Sequence, residues 1–459
     1  MTASERVENA ENAARLSRAG NPLSPLVHLI PRPDAQSVLV VDGSKLFEVD
    51  SETYTLIAGL ASMANGEPAL DQLLGKLGLA GAPSGCDEVP LAPPVRALSL
   101  AVAQKCNLGC SYCYANQGDF GGPAKNMSAE TALRAVDLLF SQVQSGERIN
   151  LAFLGGEPLI NREVLRQATE RAAEIAESRG VRLTFSITTN GTLLTQDDGE
   201  FFERHGFAVT ISLDGMQSAH DALRPYKGGA GSFDGILRNA RHLLGRQRRM
   251  QVSARVTVTP TNLQLRDTLD EFIALGFHSV GFSPLLNAVN GRNEMTANHW
   301  ETMLAQMVEC GRQFERHLLA GQRYPFANIV TALREIHKGS HRPYPCGAGA
   351  SYFGVSADGE LAACHRFVGN SAGAMGNLVQ GIDRQLQARW LSERHVHSQE
   401  PCRSCWARYL CGGGCHHEVI QRGRPACDYI RGWLHYCLEV YARLYAQVPE
   451  WFGSSSDAE

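Results

Sequence analysis

No stretch of this sequence holds the roughly 18 consecutive apolar residues that a membrane-crossing helix needs. The opening residues, MTASERVENAENAARL, lack the positively charged start and apolar core of a secretion signal. A cytoplasmic location with no membrane partner is therefore expected. An excess of one sign of charge is lacking too: 43 Lys and Arg stand against 47 Asp and Glu, a formal net charge of -4. The densest basic run, RQRR at Arg246–Arg249, falls on a helical pattern and reads as a solvated helix end, so no nucleic acid is expected as a partner.

What is present is length and sulfur. At 459 residues and 44% apolar composition the chain can bury a large core in two or three domains. Thirteen cysteines without a secretion signal point to metal or cluster ligation, because the cytosol keeps thiols reduced. Cys86 and Cys310 stand alone, Cys310 in an apolar helical pattern that suits packing. The other eleven fall at 106–113 and 346–437.

Residues 1–24 are polar. Over 25–80 short alternating strands surround the turn Asp42-Gly43 and two helical runs follow, the first with Ser51 as the expected N-cap. Pro, Gly and Ser mark a linker at 81–94. Apolar runs at 95–102, 149–155, 181–189, 207–213, 251–259 and 279–285 alternate with helical patterns. This argues for an α/β domain over 95–290 with a parallel sheet, doubly wound or curled into a barrel. A helical bridge is expected at 291–340, a cysteine-rich domain at 341–440 and a helix end and tail at 441–459. The C-terminal ends of parallel strands are where active residues belong. There the sequence places Cys106, Cys110 and Cys113, then GGEP (Gly155–Pro158), TTNG (Thr188–Gly191) and SLDG (Ser212–Gly215).

Structural zinc takes four ligands in paired short spacings, and the first group offers three. Three thiolates in a tight loop suit an iron–sulfur cubane with one iron left open. Cys106-x3-Cys110-x2-Cys113, with Tyr112 before the last cysteine and GGEP after the next strand, resembles the radical S-adenosylmethionine enzymes over 95–290. The resemblance implies a partial (β/α)6 barrel and a [4Fe–4S] cluster whose open iron is chelated by S-adenosylmethionine. It places Gly155, Gly156 and Glu157 at the methionine amino group, Ser212 and Asp214 at the ribose with Thr188 and Asn190 beside them, and Arg255 at the methionine carboxylate. An ion pair is the other reading of Arg255.

Cys346, Cys364, Cys402, Cys405, Cys411, Cys415, Cys427 and Cys437 are similar in spacing to the SPASM extension of these enzymes, which holds two auxiliary [4Fe–4S] clusters and gives three in all. That implies Cys346, Cys364 and Cys415 on one cluster and Cys402, Cys405 and Cys411 on the other, with a late cysteine. Cys437 matches the final ligand more closely; Cys427 could complete the first cluster, replace Cys437 or do neither. Residues 25–80 look like the peptide-recognition (winged-helix-like) domains of peptide-modifying systems, which add a leader strand to a sheet edge. A structural cap on the barrel is the alternative.

HDALR (His220–Arg224), CHRFVG (Cys364–Gly369) and CDYIRGWLHYC (Cys427–Cys437) look most like the maturases of quinohaemoprotein amine dehydrogenase and their relatives. This implies thioether crosslinks from Cys sulfur to the methylene of Asp or Glu in a small Cys-containing polypeptide with a leader or docking segment, and a flavodoxin-like electron donor. His365, where sulfatase-maturating relatives carry an acid, is the candidate catalytic base; a hydrogen bond to the cluster is its other reading. Other peptide crosslinks, formylglycine formation in sulfatases, and a zinc-dependent binding protein are the rival functions.

Overall fold

The computed structural model describes Leu16, Gly20 and residues 23–32, 35–80, 87–285, 291 and 293–453. Cys86 and most of 1–24 lie outside the described residues. The chain divides into two units, one of 1–89, 296–346 and 392–459, the other of 90–295 and 347–391.

In the first unit, β1 (Val27–Pro31), β2 (Gln36–Val40) and β3 (Lys45–Val49) form an antiparallel sheet in that order. Val27, Val38 and Val40 bury one face against Ile57 of α1 (Ser51–Ser62) and Leu70 and Leu74 of α2 (Glu67–Lys76). The N-cap of α1 is Asp50, not Ser51: its carboxylate accepts from Thr53 N at 2.8 Å. Both residue types can cap, and Asp50 is the one with extended backbone. Helices Ala297–Leu319 and Cys427–Gln447 pack together in this unit, and Cys310 is fully buried in the former as its pattern predicts.

In the second unit, six parallel strands follow the expected runs closely: β4 (Ala97–Gln104), β6 (Arg148–Gly155), β7 (Arg182–Thr189), β8 (Ala208–Ser212), β9 (Gln251–Val258) and β10 (Ser279–Pro284), with β5 (Lys125–Asn126) a short antiparallel partner of β4. They lie in the order β10-β9-β8-β7-β6-β4. Helices α3 (Ala129–Phe140), α4 (Arg162–Arg179), α5 (Gln196–His205), α6 (Gln217–Leu223), α7 (Phe233–Leu244) and α8 (Leu265–Ala274) connect them. The period-2 alternation sorts the faces. Phe185, Ile187, Val209, Ile211, Val252, Val256, Val280 and Phe282 are buried, while Ser186, Thr188, Thr210, Ser212, Arg255, Thr257 and Ser283 sit on a face left partly open. A parallel sheet with one apolar and one polar, open face fits a partial barrel with a usable lumen.

The cysteine-rich segment does not stay together as one block over 341–440. Residues 347–391 join the barrel unit: β11 (Tyr352–Val355) pairs parallel with β4, and β12 (Glu360–Ala362), β13 (Ala374–Asn377) and β14 (Gly381–Ile382) continue the sheet antiparallel. Residues 392–459 belong with the N-terminal unit.

Candidate active site

Cys106, Cys110 and Cys113 leave the end of β4 in a loop whose shape is set by backbone pairing. Gly109 N donates to Pro225 O at 2.8 Å, Ser111 N to Leu223 O at 3.0 Å and Lys227 N to Asn107 O at 3.2 Å, so residues 223–227 run along the loop as a clasp. The three thiols are free, and burial pushes each above its ordinary pKa. Donors point at their sulfurs. Leu108 N and Asn190 Nδ2 lie 3.5 and 3.6 Å from Cys106 Sγ, and the backbone N–H groups of Ala115 and Gln117 favour the Cys113 thiolate.

The GGEP stretch abuts this loop from β6. A Cβ on Gly155 would lie 2.3 Å from Ala103 O, and one on Gly156 2.3 Å from Lys105 O, so no side chain fits at either position. Gly156 N and Glu157 N then donate to Ala103 O and Lys105 O at 2.8 and 3.0 Å. The Glu157 carboxylate is fully buried and accepts from Thr189 Oγ1 (2.7 Å), Asn190 N (2.7 Å) and Leu159 N (3.1 Å). Burial raises its pKa, with these donors opposing the rise. Its carboxylate braces TTNG against β6, and the part of GGEP left open to a ligand is the backbone of Gly155 and Gly156.

Ser212 and Thr188 are half-buried on the open face, and Asn190 donates to Asn107 Oδ1 at 2.9 Å beside Cys106. Asp214 differs from its expected role at a ribose. It is fully buried, accepts from Thr257 N at 2.8 Å and from the Tyr112 hydroxyl, and lies 3.7 Å from Arg224. Its oxygens are taken up inside the fold and are not offered to the lumen. Arg255 pairs in register with Ser212 and Gly281, and its guanidinium donates to Ser283 Oγ. It is exposed to solvent yet surrounded by protein, as on a concave wall; that desolvation, then the charge of Arg366, lowers its pKa. It makes no carboxylate pair among the described residues, so an ion pair does not account for it.

His365 follows Cys364, which is buried in this unit. Tyr352 OH donates to Ser99 Oγ at 2.9 Å and lies 2.8 Å from His365 Nδ1. His365 Nδ1 is thus anchored through Tyr352 to Ser99 of β4. The ring stands edge-on to Tyr114 at 5.9 Å.

In the other unit, Cys402, Cys405, Cys411 and Cys427 form one group. Burial first, then the neighbouring thiols, lift Cys402 to about 12 and Cys411 to about 11, and Cys427 acts on both. Three consecutive positive-φ glycines, Gly412 (68°), Gly413 (89°) and Gly414 (77°), carry the chain from Cys411 to Cys415. Arg342 N donates to Tyr409 O at 3.2 Å and Pro345 backbone lies against Gly412, which brings the segment leading to exposed Cys346 alongside this turn. Cys437 stands apart from the group: it is fully buried, and burial and Glu315 raise its pKa. Of the two late cysteines expected as candidates for the final ligand, Cys427 is the one whose charge acts on Cys402 and Cys411.

Sequence reasoning passed over Arg224 and the clasp; HDALR was the visible signal, without a role. Residues 100–273, which contain the first cysteine group and the GGEP, TTNG, SLDG and HDALR segments, match the Radical SAM superfamily. This segment is a radical SAM domain. Among curated proteins, the chain is 26% identical over 350 residues to a serine-type anaerobic sulfatase-maturating enzyme of Klebsiella aerogenes, covering 72% of this chain and 82% of that one. It is 24% identical to a cysteine-type enzyme of Clostridium novyi, covering 70% and 88%. Of solved structures, anSMEcpe with bound AdoMet and the Cp18Cys peptide aligns with a TM-score of 0.64 at 19% identity, over 78% of this chain and all of that one. SuiB of Streptococcus suis, bound to its precursor peptide SuiA, aligns with a TM-score of 0.52 at 14% identity over 88% and 97%. These structures share the fold of the radical SAM domain.

Proposed function

We propose that the protein is a radical SAM maturase of a peptide or protein, and that it forms thioether crosslinks from Cys sulfur to the methylene carbon of Asp or Glu in a small polypeptide such as the small subunit of quinohaemoprotein amine dehydrogenase. The observation that carries the radical chemistry is the abutment of the Cys106–Cys113 loop, Gly155–Gly156 and Asn190 at the C-terminal ends of β4, β6 and β7. The donor set fits a cluster: three thiols with N–H groups aimed at their sulfurs, and a buried Arg224 Nε that has no hydrogen-bond partner among the described residues.

When bound, the cluster and S-adenosylmethionine supply a 5'-deoxyadenosyl radical that abstracts hydrogen from the substrate. The chain's own residues do the rest. The backbone of Gly155 and Gly156 and the side chains of Ser212, Thr188 and Arg255 would hold the methionine and ribose ends of S-adenosylmethionine. Arg255 offers a fork of donors for a carboxylate. His365 would take the thiol proton as sulfur bonds to carbon, and an auxiliary cluster, when bound, would be the acceptor for the remaining electron. Thus the substrate loses a hydrogen atom, a proton and an electron for each C–S bond.

Cys402, Cys405, Cys411 and Cys427 would hold one auxiliary cluster. The β1–β2–β3 sheet with α1 and α2 would bind a leader segment on a free edge strand. A flavodoxin-like protein would deliver electrons.

A second reading, oxidation of a Cys or Ser to formylglycine in a sulfatase, is favoured by the likeness to the Klebsiella and Clostridium enzymes. Anaerobic incubation with S-adenosylmethionine, dithionite and the Cys-containing polypeptide encoded beside the gene, followed by tandem mass spectrometry, decides between them. Loss of two hydrogens per bond, with fragments joining Cys to Asp or Glu, is the expected result. Formylglycine in a sulfatase peptide, with the neighbouring polypeptide unchanged, would replace this reading with the second.

A further inference from the structure

Arg224 is buried at the base of the cysteine loop, a position that demands a reason, since an enclosed guanidinium is costly unless it is paired. Its Nη1 donates to Tyr112 OH at 2.6 Å, Tyr112 donates in turn to Asp214, and Asp214 lies 3.7 Å from the same Nη1. Asp214 is fixed from the other side by Thr257 N at 2.8 Å, while Asn262 Nδ2 donates to its backbone O at 3.2 Å. His220 Nδ1 accepts from Asp214 N at 3.0 Å, and Ser232 bridges His220 Nε2 (3.0 Å) and Arg224 O (2.7 Å). SLDG, HDALR and the end of β9 are thus wired into one buried network whose cationic tip is Arg224.

That tip is held against the cysteine loop: its Nη1 binds the hydroxyl of Tyr112, the residue before Cys113, and the carbonyls of its two chain neighbours pair with Gly109 N and Ser111 N, which flank Cys110. Among the described residues, the one carboxylate in ion-pair range, Asp214, is shared with Tyr112, and Arg224 Nε–H is buried with no acceptor. A sulfur-rich anionic group in the loop is the acceptor the site is shaped for.

We propose that Arg224, held by Asp214 and Tyr112, is a positioning residue that gives the cluster of Cys106, Cys110 and Cys113 a fixed positive charge and one N–H donor, and so raises its reduction potential. This rests on the cluster reading of the three cysteines. A cation and a hydrogen bond to sulfur both favour the reduced, more negative cluster. The clasp of residues 223–227 keeps that charge in place, because Leu223 O and Pro225 O, on either side of Arg224, hold Ser111 N and Gly109 N at 3.0 and 2.8 Å.

The test uses full-length protein, reconstituted anaerobically, as wild type, Arg224→Gln and Arg224→Lys. Iron content is measured, and the potential of the EPR signal that changes on adding S-adenosylmethionine is titrated. Wild type without such a signal would refute the cluster reading itself, separately from the role of Arg224. The expected result is a lower potential in Arg224→Gln and a near-wild-type potential in Arg224→Lys, with iron loading retained. Equal potentials in all three proteins, or the same shift in both variants, would overturn the proposal. If Arg224→Gln fails to load iron while Arg224→Lys loads and keeps its potential, charge at this position is supported; failure of both to load overturns it.

Discussion

Cys427 and Cys437 lie ten residues apart on one helix, Cys427–Gln447, and so about 15 Å apart along its axis. The first sits with Cys402, Cys405 and Cys411; the second is sealed in a core beside Glu315. One cluster cannot reach both. Cys427→Ser should therefore lose one cluster's iron, whereas Cys437→Ala should keep all of it and cost about 1 kcal/mol of stability for the vacated volume. Iron per chain and the urea midpoint check this pair; iron loss in Cys437→Ala would reverse the assignment.

Gly156→Ala tests the close approach of β6 to the cysteine loop. Its Cβ would stand 2.3 Å from Lys105 O and 2.8 Å from Gly118 Cα, both backbone atoms that cannot swing aside. An overpacking cost of about 1–3 kcal/mol, felt at the loop, should weaken S-adenosylmethionine binding by roughly ten- to a hundredfold. Equilibrium dialysis reads the change; unaltered affinity would show that the loop can yield here.

The α4–α5 brace predicts a pH dependence. Asp198 is 1% exposed, accepts from Arg162 Nε at 2.7 Å and Nη2 at 3.0 Å, and caps α5 through Thr195. Burial pushes its carboxyl up, but the Arg162 and Thr195 bonds together outweigh burial and hold it below the ordinary range. The stability it confers is complete above the ordinary carboxylate pKa and is lost as pH falls through the depressed one. Asp198→Asn should be less stable than wild type at pH 7 by about 3 kcal/mol, the low end for a broken buried pair because Arg162 is 33% exposed. Urea midpoints should converge as pH drops below 4; a constant gap would contradict this assignment.

His365→Gln separates proton transfer from radical generation. The Tyr352–Ser99 chain anchors the His365 ring, and loss of the imidazole should lower product formation by about 10²–10⁴-fold. Deoxyadenosine should still form, measured by chromatography in the same reaction. Equal loss of both products would assign His365 to cluster support instead.

Much of the barrel was legible in the sequence because its signals are local. The apolar run at 251–259 became β9 at Gln251–Val258, and the GGEP, TTNG and SLDG turns fell at strand ends as their spacing predicts. What was hidden depends on distant partners. β11 joins β4 across some 250 residues, and no periodicity within 352–355 announces it. Asp214 and Glu157 are expected at the ligand by family resemblance alone; the positions of Tyr112, Thr257 and Thr189 show that both carboxylates are turned inward. Which of Cys427 and Cys437 lies near Cys402 and Cys411 is set by tertiary packing that their spacing does not carry.

The most direct measurement is 5'-deoxyadenosine and methionine produced by the reconstituted enzyme with S-adenosylmethionine and dithionite, beside a variant with Cys106, Cys110 and Cys113 all replaced by Ala. The account predicts equal amounts of both products from wild type and none from the variant, which should retain the iron of the remaining cysteines. Cleavage by the variant at the wild-type rate would contradict the assignment of these three thiolates.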